Sequence, residues 1–230
     1  MRDELLRAVD EGRRREAELE SLVTDDPADP DGRWTVKDHL AHVSWWRSRN
    51  VHTLDALRTG AQLPPPTVDQ GEKQNAIIYA QVKDRPAAEV IREARESWAA
   101  LRRALADSTE DDLTKPHPRE PGSEAWELVP GMIGHSGTHL WSCLLDAGDE
   151  ERALEIARWG SDMEARFFTT PEKLADSRYN LACVYARLGR ADEAIPLLRE
   201  SLAANPALAA WARKDADLDP IREELAPILS

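Results

Sequence analysis

Apolar residues recur at helical spacing along this chain, and this pattern limits the fold more than any other feature. Between residues 90 and 105 the apolar positions are separated by four, four, three and four residues: Val90, Ala94, Trp98, Leu101 and Leu105. Such spacing places the side chains on one face of an α-helix. Nowhere do Val, Ile, Phe and Tyr alternate with polar residues over the length of a strand. We therefore predict an all-α protein.

Four long amphipathic segments and one short segment carry this pattern. The predicted helices run from about Arg2 to Val23, from the N-cap Thr35 to Arg58, from Glu72 to Val82, from Pro86 to Asp107 and from Pro130 to Leu145. In the second helix, Asp38 stands three residues after Thr35, which is the spacing of a capping box, and Trp34 precedes the cap as a hydrophobic staple. Four long helices of this size are typical of a helical bundle.

The last third of the chain has a different organisation. Residues 179–206 resemble a tetratricopeptide repeat, a helical hairpin, at the positions Leu181, Ala182, Tyr185, Gly189, Ala194, Leu198 and Pro206. Gly148 precedes Gly189 by 41 residues, which suggests a degenerate earlier repeat that shares the fourth bundle helix. Because repeats bury their apolar faces only against neighbours, we expect these helices to stack on the bundle. We predict domains at 1–147 and 148–230.

Composition excludes several classes of partner. The chain has 230 residues, 41% of them hydrophobic, and 43 acidic against 30 basic side chains give a net charge of -13. Such a charge repels nucleic acid, which we do not expect as a partner. No apolar run approaches the ~20 residues of a membrane span, so we expect no membrane association. Two cysteines are too few for a disulfide framework, and no signal peptide is evident, so we expect a cytoplasmic protein.

Histidines concentrate near the start of the second helix and in the fourth. His39 and His42 lie about one turn apart, while His135, His139 and Cys143 form one stripe at intervals of four residues. If the two helices are neighbours, these nitrogen and sulfur atoms converge in one pocket. Three protein ligands with an open position are typical of catalytic zinc. The alternative is that they are ordinary buried histidines, hydrogen-bonded to carboxylates.

Other candidate residues admit two or more interpretations. Cys143 could be a fourth metal ligand, a nucleophile held near His139, or a small buried apolar residue. His39 could line the pocket, act as a base that supports a ligand, or be structural. Four tryptophans could line an apolar substrate pocket or belong to the core: Trp45, Trp46, Trp126 and Trp141.

The segment Trp34–Trp46, which opens Trp-Thr-Val-Lys-Asp-x-Leu-Ala-His, resembles the DinB-like superfamily of four-helix bundles. Two further segments support the resemblance, Asn75–Tyr79 and the stretch 126–134 that precedes the fourth helix. The similarity covers residues 1–147. It is closest to the ClbS/DfsB-like branch, which includes the colibactin self-protection protein.

The resemblance implies a divalent metal, zinc or nickel, on His42, His135 and His139. Some members of the superfamily activate a low-molecular-weight thiol for transfer or isomerisation, whereas the colibactin branch resembles hydrolases that open strained electrophilic rings. In the register of that branch, His139 takes the place of the first histidine of a pair, and Cys143 replaces the second. Asn75 and Tyr79 are then the polar candidates for orienting a substrate.

We predict an enzyme of small-molecule detoxification or self-resistance, either a hydrolase or a thiol transferase. Its electrophilic substrate would be attacked by a metal- or His-activated water, or by a thiol. The candidates for catalysis are His39, Tyr79, His139 and Cys143. The alternative is a non-catalytic interaction protein, which docks a partner protein through its repeat segment and uses the bundle as a scaffold.

Overall fold

The computed structural model describes residues 1–25, 34–65 and 72–229. Within these ranges the protein is helical and has no β-strand, although an isolated bridge joins Pro116 and Glu124. The prediction of an all-α protein is confirmed for this part of the chain. None of the described helices combines the length and apolarity that a membrane crossing requires.

The helices of the N-terminal part are α1 (Arg2–Glu16), α2 (Val36–Thr59), α3 (Glu72–Val82), α4 (Ala87–Asp107), α5 (Glu110–Leu113) and α6 (Leu128–Asp146). A 3₁₀ segment follows α1 (Ala17–Leu22), and another precedes α6 (Ala125–Glu127). The C-terminal part contains α7 (Glu150–Ala165), α8 (Pro171–Arg187), α9 (Ala191–Ala204), α10 (Leu208–Ala212), a 3₁₀ segment (Ala216–Ile221) and α11 (Arg222–Leu229).

Several predicted helix ends differ from the observed ones. The first helix tightens to 3₁₀ geometry after Glu16 instead of continuing to Val23. Pro86 is the N-cap of α4 rather than its first residue, and Pro130 is the third residue of α6 rather than its start. Proline is compatible with both places because the first turn of a helix does not use its backbone N–H groups.

The start of α2 matches its sequence signature. The backbone N–H of Asp38 donates to Thr35 Oγ1 at 3.2 Å, and the Asp38 carboxylate accepts from the backbone N–H of Thr35 at 2.9 Å. Gly60 follows the helix in the left-handed region, with φ of 73°. Because this capping box fixes where α2 begins, it also fixes the direction in which His39 and His42 leave the helix.

Contacts divide the chain into two compact units, Met1–His139 and Leu140–Ser230. In the first unit, α4 packs against α1 and α2, and α3 packs against α2. In the second, α8 packs against α7, α9 and the 3₁₀ segment Ala216–Ile221. The division falls within α6, and the domain boundary at 147/148 stays a prediction.

A buried arginine is central to the first unit. Arg47 on α2 is fully buried, pairs with Glu16 of α1, and donates to Ser97 Oγ of α4 at 2.7 Å and to Ser136 Oγ of α6 at 3.0 Å. Its guanidinium lies 3.8 Å from the centroid of the Trp98 ring, whose Nε1–H donates to Glu16 at 2.7 Å. One cation therefore connects four helices in the interior.

The helices also approach closely beside this network. A Cβ atom on Gly12 of α1 would lie 2.8 Å from Trp98 Cη2 and 3.1 Å from Ile133 Cγ2. Both distances are shorter than ordinary van der Waals contact. Glycine is therefore required at this position by the space between α1, α4 and α6.

In the second unit, the turn between α8 and α9 contains Gly189 with φ of 68°, and Gly148 before α7 has φ of 79°. The two glycines whose 41-residue spacing stands out in the sequence thus share a left-handed conformation. Asp215 accepts hydrogen bonds from Tyr179 Oη at 2.7 Å and Trp211 Nε1 at 2.9 Å. The bond from Tyr179 connects the C-terminal residues to α8, whereas the bond from Trp211 is local to the C-terminal segment.

We predict strong coupling between Glu16 and Arg47. Glu16→Leu alone leaves an unpaired buried guanidinium and should lower the free energy of unfolding by about 3–5 kcal/mol. The double variant Glu16→Leu/Arg47→Met removes both charges and should lose much less than the sum of the two single losses. Urea denaturation of the four proteins measures this coupling, and additive losses would contradict it.

Gly12→Ala should destabilise the protein. Alanine normally stabilises a helix interior by up to about 1 kcal/mol relative to glycine, but here the added methyl overpacks the core and should cost about 1–3 kcal/mol. Gly131→Ala in α6 is the matched control, because apart from its chain neighbours and the backbone of its own helix no described atom lies within 4 Å of the added Cβ. Melting temperatures should fall for the first variant and hold or rise for the second; equal changes would rule out the clash.

Candidate metal centre

Four histidines from α2 and α6 lie in contact in the first unit. His135 Nε2 is 3.2 Å from His42 Nε2 and 3.1 Å from His139 Nε2. On the other side of its ring, His139 Nδ1 is 2.7 Å from His39 Nδ1. The structure thus brings all four sequence-predicted histidines together.

Three of these histidines form a group that could hold a metal ion. One ring nitrogen each from His42, His135 and His139 lies within 4.8 Å of the others. Within the described ranges, no other group of three or more His, Cys, Asp or Glu side chains meets this description. His42 is buried, whereas His135 and His139 are intermediate in exposure as whole residues.

The surroundings keep these imidazoles neutral. Burial is the largest cause that lowers the pKa of His42 to about 3, and the neighbouring His135 and His39 lower it further. Burial and the positive charge of Arg47 lower the pKa of His135 to about 4, and burial with the adjoining histidines lowers the pKa of His139 well below its usual value. Neutral imidazole is the form that binds metals.

His39 is placed to select the tautomer of His139. A neutral imidazole carries one N–H, so a hydrogen on His139 Nδ1 donated to His39 Nδ1 leaves the Nε2 lone pair of His139 available. Metal-binding histidines commonly donate their second ring nitrogen in this way. His42 Nδ1 is buried and has no hydrogen-bond partner within the described structure.

The donor set fits a divalent metal. Two imidazole nitrogens bound at about 2.1 Å with near-tetrahedral angles lie roughly 3.4 Å apart, close to the two contacts of 3.1 and 3.2 Å. Three nitrogen lone pairs directed at one another repel unless a proton or a cation lies between them. Three histidines without a fourth protein ligand are typical of a zinc site that keeps an open position.

Aromatic rings surround the histidines on the α2–α3 side. The Trp34 ring lies 4.9 Å from His42, 5.4 Å from His39 and 6.2 Å from His139, between ring centroids. Tyr79 of α3 lies parallel to Trp34 at 6.2 Å. Sequence reasoning treated Trp34 only as a staple for the cap, although its position one residue before Thr35 placed it within reach of the first turn of α2.

The other predicted substrate residues are spread over the protein. On α2, Trp46 lies 6.3 Å from His42 and 5.0 Å from Trp45, while Asn75 is one turn before Tyr79 on α3. Trp126 is in the segment before α6, where its Nε1–H donates to the Glu124 carboxylate at 2.8 Å.

Two predicted site residues fall in the second unit. Trp141 is buried, and the guanidinium of Arg187 lies 5.9 Å from its ring centroid. Cys143 is also buried, and burial followed by the charge of Asp146 raises the pKa of its thiol to about 12. A thiol with so high a pKa is a weak nucleophile near neutral pH.

The sequence analysis does not identify Arg47, which is not a candidate ligand but interacts with the helix segment that carries His135. Arg47 binds Ser136, the residue next to His135 on α6, and its charge favours the neutral form of that imidazole. The signal was present in the sequence, because Arg47 interrupts the apolar stripe that Leu40, Val43 and Leu54 form on α2. A charged residue at a core position of such a stripe indicates a buried partner.

The metal-free protein should lose stability as the pH falls from 6.5. The unfolded chain takes up protons near the ordinary histidine pKa of 6.5, whereas folded His42 and His135 stay neutral down to about 3 and about 4. The free energy of unfolding should therefore fall with pH by about 1.4 kcal/mol per unit for each histidine between pH 6.5 and about 4.

Urea denaturation at a series of pH values measures this slope. His135→Gln should flatten it, whereas His52→Gln, at an exposed position of the same helix α2, should leave it unchanged. The same slope in the wild type and the His135 variant would show that this imidazole is not kept neutral by folding.

Comparison with known families matches residues 2–143 to the DinB superfamily. The matched segment begins with α1 and includes both histidine-bearing helices, so it covers the whole three-histidine group. Members of this superfamily often bind metals, which is compatible with that group. No curated protein and no solved structure matches the chain.

Proposed function

Because this chain belongs to the DinB superfamily, we propose that its N-terminal part is a metal-binding four-helix bundle that acts on a small electrophilic molecule. The ligands are His42, His135 and His139, and the metal is a divalent ion such as zinc or nickel. The observation that carries the proposal is the meeting of three Nε2 atoms at contacts of 3.1 and 3.2 Å.

The metal would supply Lewis acidity, which makes a nucleophile from water or a thiol available near neutral pH. The side chains of the protein would position the reactants. His39 holds a proton at His139 Nδ1 and so fixes the orientation of that ligand. Trp34 covers the imidazoles and limits the access of water, while Tyr79 and Asn75 project from neighbouring turns of α3 to orient the substrate.

We propose a role in detoxification or self-resistance, in line with the resemblance to the ClbS/DfsB-like branch. Its motifs are the opening of α2, the Asn75–Tyr79 segment and the stretch before α6. The reaction is hydrolysis of a strained ring or transfer of a low-molecular-weight thiol. Since the group of possible metal ligands in the described structure contains His42, His135 and His139 but not Cys143, we favour these three ligands over the set that uses Cys143.

For residues 148–230 we propose a tetratricopeptide-like hairpin with a C-terminal cap. The support is the order α8, left-handed Gly189, α9, together with the packing of these two helices. A protein partner for this segment, and a cytoplasmic location, stay predictions. A purely non-catalytic role for the whole protein does not explain why four histidines converge, so we rank it second.

His139→Ala should remove metal and activity together while the fold persists. The wild type should bind about one zinc or nickel per chain, and loss of a ligand should reduce metal affinity by more than the roughly 10–100-fold expected for His39→Ala. His52→Ala, on an exposed turn of α2, is the control. Metal content is measured by mass spectrometry of the purified proteins, and secondary structure by circular dichroism.

Cys143→Ser distinguishes the two possible sets of metal ligands. It should leave metal content and turnover unchanged if His42, His135 and His139 are the ligands, and should match His139→Ala if Cys143 is a ligand or nucleophile. A wild-type protein that takes up no divalent metal, or a His139→Ala variant that takes up as much as the wild type, would overturn the proposed centre.

A further inference from the structure

Two arginines in the first unit lie near each other, and neither forms a salt bridge with a carboxylate of the described residues. Arg49 lies on α2, and Arg119 lies in the segment between α5 and α6. Thr53 links them, because its Oγ1 donates to the carbonyl of Arg49 at 3.0 Å and accepts from the Arg119 guanidinium at 3.4 Å. Burial lowers the pKa of Arg49, and the nearby charge of Arg119 lowers it further. Among residues 1–25, 34–65 and 72–229, no carboxylate forms a salt bridge with either of them.

Some N–H groups of the Arg49 guanidinium have no hydrogen-bond partner in the described structure. Arg49 is 9% exposed, and one terminal nitrogen donates to the carbonyl of Pro65. Its Nε–H is buried and has no hydrogen-bond partner in the described structure. Arg119 is exposed and donates only weakly, at 3.4 Å, to the hydroxyl of Thr53, one turn after Arg49.

This arrangement is unusual for so acidic a chain. The net charge is -13, and other arginines, such as Arg85 with Glu93 and Arg95 with Glu20, pair with carboxylates. Two adjacent cations repel each other, and a buried donor without an acceptor costs free energy. A bound oxyanion would remove both costs, because a guanidinium matches carboxylate and phosphate with two parallel hydrogen bonds.

The arginine pair lies along α2 from the histidine centre. Arg49 is seven residues after His42, so it projects from nearly the same face of the helix at a distance of about 10 Å along its axis. Trp46 lies 6.3 Å from His42 and 5.0 Å from Trp45, and the Arg49 guanidinium lies 5.9 Å from the Trp45 ring. The rings of Trp46 and Trp45 therefore lie between the histidine group and Arg49.

We propose that Arg49 and Arg119 bind an anionic group, a carboxylate or a phosphate, of the small-molecule substrate that reacts at the three-histidine group. The apolar body of the substrate would lie on Trp45 and Trp46. This inference rests on the proposed function, because it assigns the substrate class of the same site. The substrate is thus an anion whose charge lies about two helical turns, roughly 10 Å, from its reactive end.

The first test measures binding of inorganic phosphate and of acetate to the metal-free protein by isothermal titration calorimetry. Arg119→Gln is the main variant, since an exposed side chain can be changed without disturbing the core. Arg58→Gln is the matched control, because Arg58 lies on the same helix but pairs with Asp55 at 3.2 Å. We expect saturable binding by the wild type and the control, and at least tenfold weaker binding by Arg119→Gln.

The second test uses a ligand that can reach the metal centre with one end and the arginine pair with the other. Zinc-loaded protein is titrated with a thiol-terminated alkyl carboxylate about 10 Å long and with the neutral amide of the same length. The carboxylate should bind at least tenfold more tightly than the amide, and a chain half as long should lose this advantage. The advantage should disappear in Arg119→Gln and persist in Arg58→Gln.

The outcomes distinguish this inference from the proposed function. No saturable binding of either small anion, or equal binding by the wild type and Arg119→Gln, overturns the anion site even if the thiol amide still binds to the zinc-loaded protein. Failure to take up zinc, with phosphate binding that still depends on Arg119, overturns the metal centre and leaves the arginine pair as an anion site. Loss of helical signal in Arg119→Gln would contradict the peripheral position assigned to that residue.

Discussion

The buried ion pair between Arg47 and Glu16 is the interaction on which the first unit depends. A guanidinium removed from water is stable only when its donors are satisfied, and here the acceptors come from three other helices. One of these acceptors, Ser136, is adjacent to His135. The same contact that joins the helices therefore sets the position of a candidate ligand, and the charge of Arg47 adds to burial in lowering the pKa of that imidazole.

Much of this organisation could be predicted from the sequence. The apolar stripe of residues 90–105, the capping box at Thr35 and the four-residue spacing of His135 and His139 are local patterns, and each has a local structural meaning. These patterns predict helices α2, α4 and α6, which carry the four histidines that the structure brings together or pack beside them.

The rest depends on partners that are distant in the sequence. The place of Arg47 in the apolar stripe of α2 indicates burial, but its partners Glu16 and Ser97 could not be identified from the sequence. Arg49 lies outside that stripe, and charged residues on a helix usually face solvent, so its burial could not be predicted. Trp34 was interpreted through its neighbours in the chain, whereas its main contacts are with rings on α2, α3 and α6. The role of each of these residues depends on tertiary packing. The spacing of residues along the sequence does not determine that packing.

The capping box of α2 has an evolutionary consequence. His42 lies seven residues after the cap at Thr35, and each residue inserted between them would rotate the imidazole by about 100° around the helix axis. An insertion there would therefore carry His42 away from His135, even in a chain that still folds. Related sequences should vary in length before Thr35 and after Gly60, whereas the interval from cap to histidine should keep one length.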